Sequence, residues 1–257
     1  MPLDPSATLC GRYVIRHLHK LGSAGAVYLA KDNLLGVRVA VKENLLSGLE
    51  HEQQFHREAS ILATVRHPNL PRVTDFFVLE AHGQYLVMDF VDGKTSAEWI
   101  ADNSPSPDEL VSILEGVFKA LSYLHARLRP VVHGDIEPSN IILATGLVPF
   151  LVDFGLAQFG QERVVHATTG NVLVSPSTDP RSDQYALAAT IYALLAGVPP
   201  PDSRQRLTSA VQIPPLRSVR DDVSPHIEEA LFRALSLQPH DRYVDIAAFW
   251  HALRSES

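Results

Sequence analysis

Apolar and polar positions alternate through most of the first 45 residues. RYVIRHL, AVYLAKD and VRVAVKEN each read as a strand, and Gly22/Gly25 and the stretch from Asn33 to Gly36 supply turns between them. Short turns between successive strands predict an antiparallel sheet. From Gly48 to Val65 the period lengthens, because Phe55, Leu62 and Val65 recur at the spacing of one helix face. Glu58 falls on that same stripe, an unusual place for a carboxylate. His67-Pro68-Asn69 ends the helix, and VTDFFVLE and QYLVMDF predict two more strands about a His82-Gly83 turn.

After Phe90 the pattern is mainly helical. Ser106-Pro107-Asp108-Glu109 has the form of a capping box with proline at the first helical position, opening a helix predicted to run to about Leu128. Next come a polar segment between two apolar runs, VVHGDIEPSNIIL, and a short hairpin to Val152. The stretch from Gly155 to Arg181 reads as irregular. It leads into the apolar run YALAATIYALLAGVPP, a proline-rich link, and two helices from about Pro225 and Asp245. A sheet-rich first third and a helical remainder, joined at Met88 to Asp92, predict two lobes with a ligand-binding cleft between them.

Composition narrows the partners. The 257 residues are 46% hydrophobic, enough for one large domain or two fused lobes. The formal charge of −7 comes without a basic cluster, so a nucleic-acid face is not expected. Cys10 is the only cysteine, which rules out an internal disulfide and a cysteine zinc site and suits a reducing cytoplasm. The amino terminus, MPLDPSATLCGRYVIRH, lacks the features of a signal peptide. The apolar run after Gln184 reaches prolines after about 14 helix-compatible residues, short of the roughly 20 that span a bilayer. A buried central helix and no membrane partner are the expectations.

Taken singly, each residue with chemical potential has an ordinary explanation. Lys42, after VAV on a strand, suits a surface lysine. Asp153-Phe154-Gly155 suits a strand-end turn, and Asp135 and Asn140 suit an Asx turn. Glu58 is harder to place, because a buried carboxylate needs a cation, and a Lys42–Glu58 pair satisfies both.

Together, in this order, these residues resemble the eukaryotic-type (Hanks-type) protein kinase family, in particular its bacterial serine/threonine branch. The resemblance covers nearly the whole chain. LGSAGAVYLA resembles the glycine-rich loop over ATP phosphates, carried by Gly22 and Gly25, and VAVK makes Lys42 the strand lysine of the α and β phosphates, with Glu58 of FHREASIL as its partner. Met88 resembles the gatekeeper, Asp89 and Val91 the adenine-binding backbone, and Val27, Ala40 and Ile142 the apolar nucleotide contacts. HGDIEPSN makes Asp135 the catalytic base and Asn140 a metal ligand, with Asp153 of DFG as the other. Asp183 resembles the helix aspartate that braces the catalytic loop, QPHDRY supplies Arg242, and His133 is expected to pack beneath Phe154.

The resemblance implies an α+β, bilobal kinase-like fold, with a small antiparallel-sheet lobe carrying one helix and a larger, mainly helical lobe. It implies a single domain over 1–257, divided into an N-lobe of about 1–88, a hinge at about 89–92 and a C-lobe of about 93–257. It also implies ATP, Mg²⁺ with Mn²⁺ as an alternative ion, protein substrates and a regulatory partner protein. Phosphoryl transfer needs the triphosphate held in line, its charge neutralised and a hydroxyl oriented, and these residue types suit that task.

Four departures from the pattern matter. Lys20 stands at the first loop glycine. Gly134 replaces the arginine where an activation-loop phosphate docks, so activity is expected to be independent of Thr168 and Thr169 phosphorylation. Ser175-Pro176-Ser177 replaces Ala-Pro-Glu, which removes the carboxylate partner of Arg242, and Asn171 stands for the threonine beside the base. Glu137 replaces the lysine that neutralises the transferred phosphate, a charge reversal worth several kcal/mol in a water-poor site. The leading reading is a slow serine/threonine protein kinase. A pseudokinase holding nucleotide or a partner protein, and a small-molecule phosphotransferase suggested by His-Gly-Asp, are the alternatives.

Overall fold

The computed structural model describes residues 3–22, 25–79, 83–160 and 179–255. The chain divides into two compact units, Met1–Asp92 and Gly93–Ser257.

The first unit is an antiparallel sheet with one helix. Its strands are β1 (Thr8–Leu9), β2 (Tyr13–Leu21), β3 (Gly25–Asp32) and β4 (Arg38–Asn44), then β5 (Val73–Leu79) and β6 (Gly83–Asp89), in the spatial order β1-β2-β3-β4-β6-β5. Helix α1 (Leu49–Thr64) lies between β4 and β5 in sequence. The two-residue β1 gave no alternation to read. On one face of the sheet Tyr13, Ile15, Tyr28, Val41, Tyr85 and Val87 form a core, with Leu3 and Ala7 packed against it. Each fully buried apolar side chain of this size contributes roughly 1.5–3 kcal/mol.

That core contains a buried acid. Glu43 accepts from the Tyr28 hydroxyl at 2.6 Å and the Tyr85 hydroxyl at 2.9 Å, and the Leu3 amide donates to the Tyr28 oxygen. Burial, reinforced by the hydrogen bond to Glu43, pushes the Tyr28 hydroxyl up to about 12. The strand period of two then turns Lys42 and Ala40 to the opposite face. Val27 pairs with Lys42 and Met88 with Ala40, so all four share that face.

The second unit begins with β7 (Gly93–Thr95) and α2 (Ser96–Asp102), whose Thr95 and Glu98 form a capping box. The second capping box, Ser106 with Glu109, opens α3 (Pro107–Ile113) as the sequence predicted. The predicted long helix is divided at Leu114, where the backbone tightens (ψ −1), and resumes as α4 (Glu115–His125), ending short of Leu128. Then follow β8 (Val131–Val132), the hairpin β9 (Ile141–Ala144) and β10 (Val148–Leu151), and β11 (Gln158–Phe159), which pairs with β8. β7 pairs with β9 so closely that a Cβ on Gly93 would stand 2.2 Å from the Leu143 carbonyl oxygen.

Helix α5 (Arg181–Ala196) is the buried central helix that the apolar run predicted. Leu187, Ala188, Ile191 and Tyr192 are buried along it, and Gly197 in the left-handed region closes it. Among the described residues no helix is long and apolar enough to cross a membrane. Helix α6 (Ser203–Ser209) is capped by Asp202 inside the proline-rich stretch that had read as a link. Helices α7 (Pro225–Ala234) and α8 (Ile246–Arg254) begin where predicted.

Candidate active site

In the first unit the site begins with an ion pair. Lys42 Nζ donates to Glu58 Oε1 at 2.7 Å and Oε2 at 2.9 Å, and the two side chains are 13% and 3% exposed. α1 carries Glu58 between Phe55 and Leu62 on its buried face, and β4 turns Lys42 to meet it. A carboxylate so placed would be strongly destabilising without a cation, and Lys42 removes that cost. Val27, Ala40 and Met88 share the lysine's face of the sheet, and Val91 follows half-buried. The Asp89 amide donates to the Arg72 carbonyl. Gly25 is required, since a Cβ there would stand 2.6 Å from the Glu43 carbonyl oxygen, and the Gly22 amide donates to the Gly25 carbonyl across the turn. Residues 23 and 24 of that turn lie outside the described residues.

In the second unit the centre is Asp183, fully buried in the first turn of α5. Its carboxylate accepts from the His133 amide at 2.8 Å, the Gly134 amide at 2.9 Å and His125 Nε2 at 2.8 Å. The positive end of the helix dipole also favours an anion there. This is the bracing role expected of Asp183, with His125 as a partner that sequence reasoning missed. The only sequence signal was a histidine ending an amphipathic helix.

His133 is buried and meets Phe154 edge-on, with ring centroids 4.6 Å apart, as expected. The Asp135 amide donates to His133 Nδ1 at 3.3 Å, so the proton resides on Nε2, which donates to the Val152 carbonyl at 3.2 Å. Burial holds the His133 pKa below the ordinary histidine value, consistent with this neutral tautomer.

Asp135 is half-buried. Asn140, buried beneath it, donates from Nδ2 to the Asp135 carbonyl and to Asp135 Oδ2, each at 3.0 Å. Two acceptors fix which end of the amide faces the aspartate, and Oδ1 is the other end. Burial raises the Asp135 pKa first, and the negative charges of Glu137 and Asp153 raise it further. Glu137 is exposed and accepts from the Ser139 hydroxyl. Asp153 takes the left-handed conformation, φ 64, and accepts from the Gly155 amide at 3.4 Å. Such a backbone costs of order 1–3 kcal/mol for a residue other than glycine, and persists where the surroundings over-determine it. Ile142 is half-buried in β9, across from Thr95 and Phe150.

Two departures acquire a physical reason. Gly134 has φ 79, and a Cβ on it would stand 2.9 Å from the Leu156 carbonyl oxygen, so the backbone itself excludes an arginine here. Arg242, expected to lose its carboxylate partner, is held by the carbonyls of Ser236 at 2.8 Å, Arg181 at 2.7 Å and Leu237 at 3.1 Å. Its guanidinium lies 4.9 Å from the Tyr185 ring centroid. Thr168, Thr169, Asn171 and Ser175-Pro176-Ser177 lie outside the described residues.

The sequence model described as "Protein kinase domain" matches residues 16–251. The chain belongs to the protein kinase domain family. This kinase domain is 34% identical to serine/threonine-protein kinase Pkn1 of Myxococcus xanthus over 269 residues, covering 95% of the chain and 38% of Pkn1. It is 33% identical to serine/threonine-protein kinase PknF of Mycobacterium tuberculosis over 282 residues, covering 98% of the chain and 58% of PknF. The chain thus spans about four- to six-tenths of the length of these curated relatives. Among solved structures, the Mycobacterium tuberculosis PknI kinase domain superposes with a TM-score of 0.76 at 28% identity, covering 99% of both chains. The antiparallel sheet with one helix and the mainly helical second unit are therefore the kinase fold that the sequence implied.

Proposed function

We propose that this kinase domain transfers the γ-phosphate of Mg-ATP to serine and threonine hydroxyls of proteins, and that residues 1–257 act as one domain with its hinge at about 89–92. The observation that carries the reading is the half-buried Asp135, with raised proton affinity, held by Asn140. A base must hold a proton in the transition state and must stay put, and both conditions are met by this arrangement.

The remaining roles follow the chemistry of each group. Lys42, fixed by Glu58, binds the α and β phosphates, with Gly22 and Gly25 offering backbone close to them. Val27, Ala40 and Ile142 supply apolar contacts to the base. Met88 acts as gatekeeper, and the adenine edge meets the backbones of Asp89 and Val91. Because the Asp89 amide is committed to Arg72, its contribution falls to the carbonyl.

Asn140 and Asp153 are the residues that would hold a divalent ion. Among the described residues no group of three or more His, Cys, Asp and Glu side chains is placed to hold a metal. The hard oxygen donors of Asn140 and Asp153 suit Mg²⁺, an ion that keeps waters and phosphate oxygens in its shell. When bound, the ion neutralises phosphate charge, and Mn²⁺ would serve in the same place.

Glu137 slows transfer rather than abolishing binding, because its carboxylate is a like charge beside Asp135. The test is incubation with γ-labelled ATP, Mg²⁺ and a general protein substrate, followed by phosphoamino-acid analysis. Label on serine or threonine, lost on chelation, is the expected result. Nucleotide binding without any transfer would overturn the enzyme reading in favour of a pseudokinase.

A further inference from the structure

Two buried hydroxyls, one on each of two helices, converge on the segment that carries Asp135. Ser96, the first residue of α2, is fully buried and donates from Oγ to the Pro138 carbonyl at 2.8 Å. Thr190, in the middle of α5, is 2% exposed and donates from Oγ1 to the Ile136 carbonyl at 3.1 Å. The two carbonyls flank Glu137. Asp135 precedes Ile136 by one residue, and Asn140 follows Pro138 by two.

Neither hydroxyl is explained by its own helix. Within a helix a threonine hydroxyl commonly bonds back to the carbonyl one turn earlier, whereas that of Thr190 reaches a residue 54 positions away. Thr190 also interrupts an otherwise apolar run, YALAATIYALL, where a valine of nearly the same shape would pack as well. A buried hydroxyl is destabilising unless bonded, and so is a buried carbonyl, so each tether satisfies two groups at once.

The tethers complete a pattern. Asp183 fixes the loop through its donors, the amides of His133 and Gly134. Ser96 and Thr190 fix it through its acceptors, and the Asn140 amide closes the turn onto the Glu137 carbonyl at 3.0 Å. Between Gly134 and Asn140 the backbone is thus held from α5 and α2 at points on both sides of the exposed Glu137 side chain. A Glu137 carboxylate repelled by Asp135 would otherwise tend to drag this segment outward.

We propose that Ser96 and Thr190 are positioning residues, a pair of hydroxyl tethers that hold the Ile136–Pro138 backbone and thereby set Asp135 relative to Asn140. The proposal deepens the kinase reading and rests on it for its effect on rate. Misplacing a reacting group by about 1 Å costs on the order of 100-fold in rate. Thr190→Val, which removes only the hydroxyl, and Ser96→Ala are each expected to lower kcat about tenfold, and the double variant about 100-fold.

Three measurements on the full chain decide it. Phosphotransfer gives kcat, and thermal unfolding reports global stability. Amide hydrogen exchange, read in the peptide covering residues 131–143 and in peptides of α4 and α7, reports where the backbone loosens. Faster exchange confined to residues 131–143, with kcat lowered and both restored by Thr190→Ser, is the expected result. Parental kcat together with parental exchange in the double variant would overturn the proposal. So would Thr190→Ser behaving like Thr190→Val, or loosening spread equally over α4 and α7, which would mark a merely structural role. If the parent chain transfers no phosphate, the kinase reading fails by itself, and exchange in residues 131–143 alone decides the tethers. If the double variant does not fold, Ser96→Ala at its helix start supplies the same comparison.

Discussion

Glu58 and Asp135 are both carboxylates withdrawn from water, and they are treated in opposite ways. Glu58 is neutralised by a cation, with both oxygens within hydrogen-bonding distance of Lys42. Asp135 accepts from the neutral amide of Asn140, and burial, then the charges of Glu137 and Asp153, raise its proton affinity. A cation stabilises the charged form and makes a carboxylate a fixed support. Burial and like charge make it ready to take a proton. The contrast separates Glu58 from the proposed catalytic base by environment alone.

The contrast can be broken at four places. Asp135→Asn keeps the shape and removes the proposed base, so phosphotransfer should fall by about 10²–10⁴-fold with an unchanged melting curve. Lys42→Met leaves Glu58 buried without a cation. Unfolding in denaturant should show a loss of about 3–5 kcal/mol, and Lys42→Met with Glu58→Gln together should recover part of it. An undiminished stability for Lys42→Met would show that Glu58 does not depend on the lysine.

Glu137→Lys reverses a charge next to Asp135 and should raise the transfer rate tenfold or more, measured at saturating Mg-ATP. A rate equal to the parent's would mean that Glu137 does not throttle catalysis. The smallest effect concerns Asp32, another buried carboxylate. It accepts three bonds from Arg12, the shortest at 2.6 Å, and the amides of Leu34 and Leu35. The Arg12 guanidinium, aided by those amides, holds its pKa below the ordinary value. Its folded pKa is depressed, so the stabilisation is present above the ordinary carboxylate pKa of about 3.9 and is lost as pH falls below it. Asp32→Asn should flatten the acid limb of stability against pH below about 4, which acid unfolding curves can show.

The sheet, α1 and α5 were legible because burial imposes a period of two or of 3.6 on apolar positions. The break at Leu114 and the short strand β1 were not. The first is a local tightening inside an unbroken apolar stripe, and the second is too short to have a period. Helices α2 and α6 left end signals, Thr95 with Glu98 and Asp202, which apolar periodicity does not weigh. At the site, Lys42 and Glu58 were readable as a pair because a buried acid demands a cation. Gly134 was read as a missing arginine, although its meaning is a left-handed backbone pressed against Leu156. The carbonyls that hold Arg242, and the hydroxyls of Ser96 and Thr190, are contacts to the main chain of distant residues. Residue identity carries almost no trace of those.

The most direct test of the account is a single-turnover measurement on Asp135→Asn beside the parent chain, with Mg-ATP affinity measured on the same samples. The account predicts nucleotide affinity within about threefold of the parent and a transfer step slowed by at least about 100-fold. Transfer at the parental rate in Asp135→Asn would contradict it.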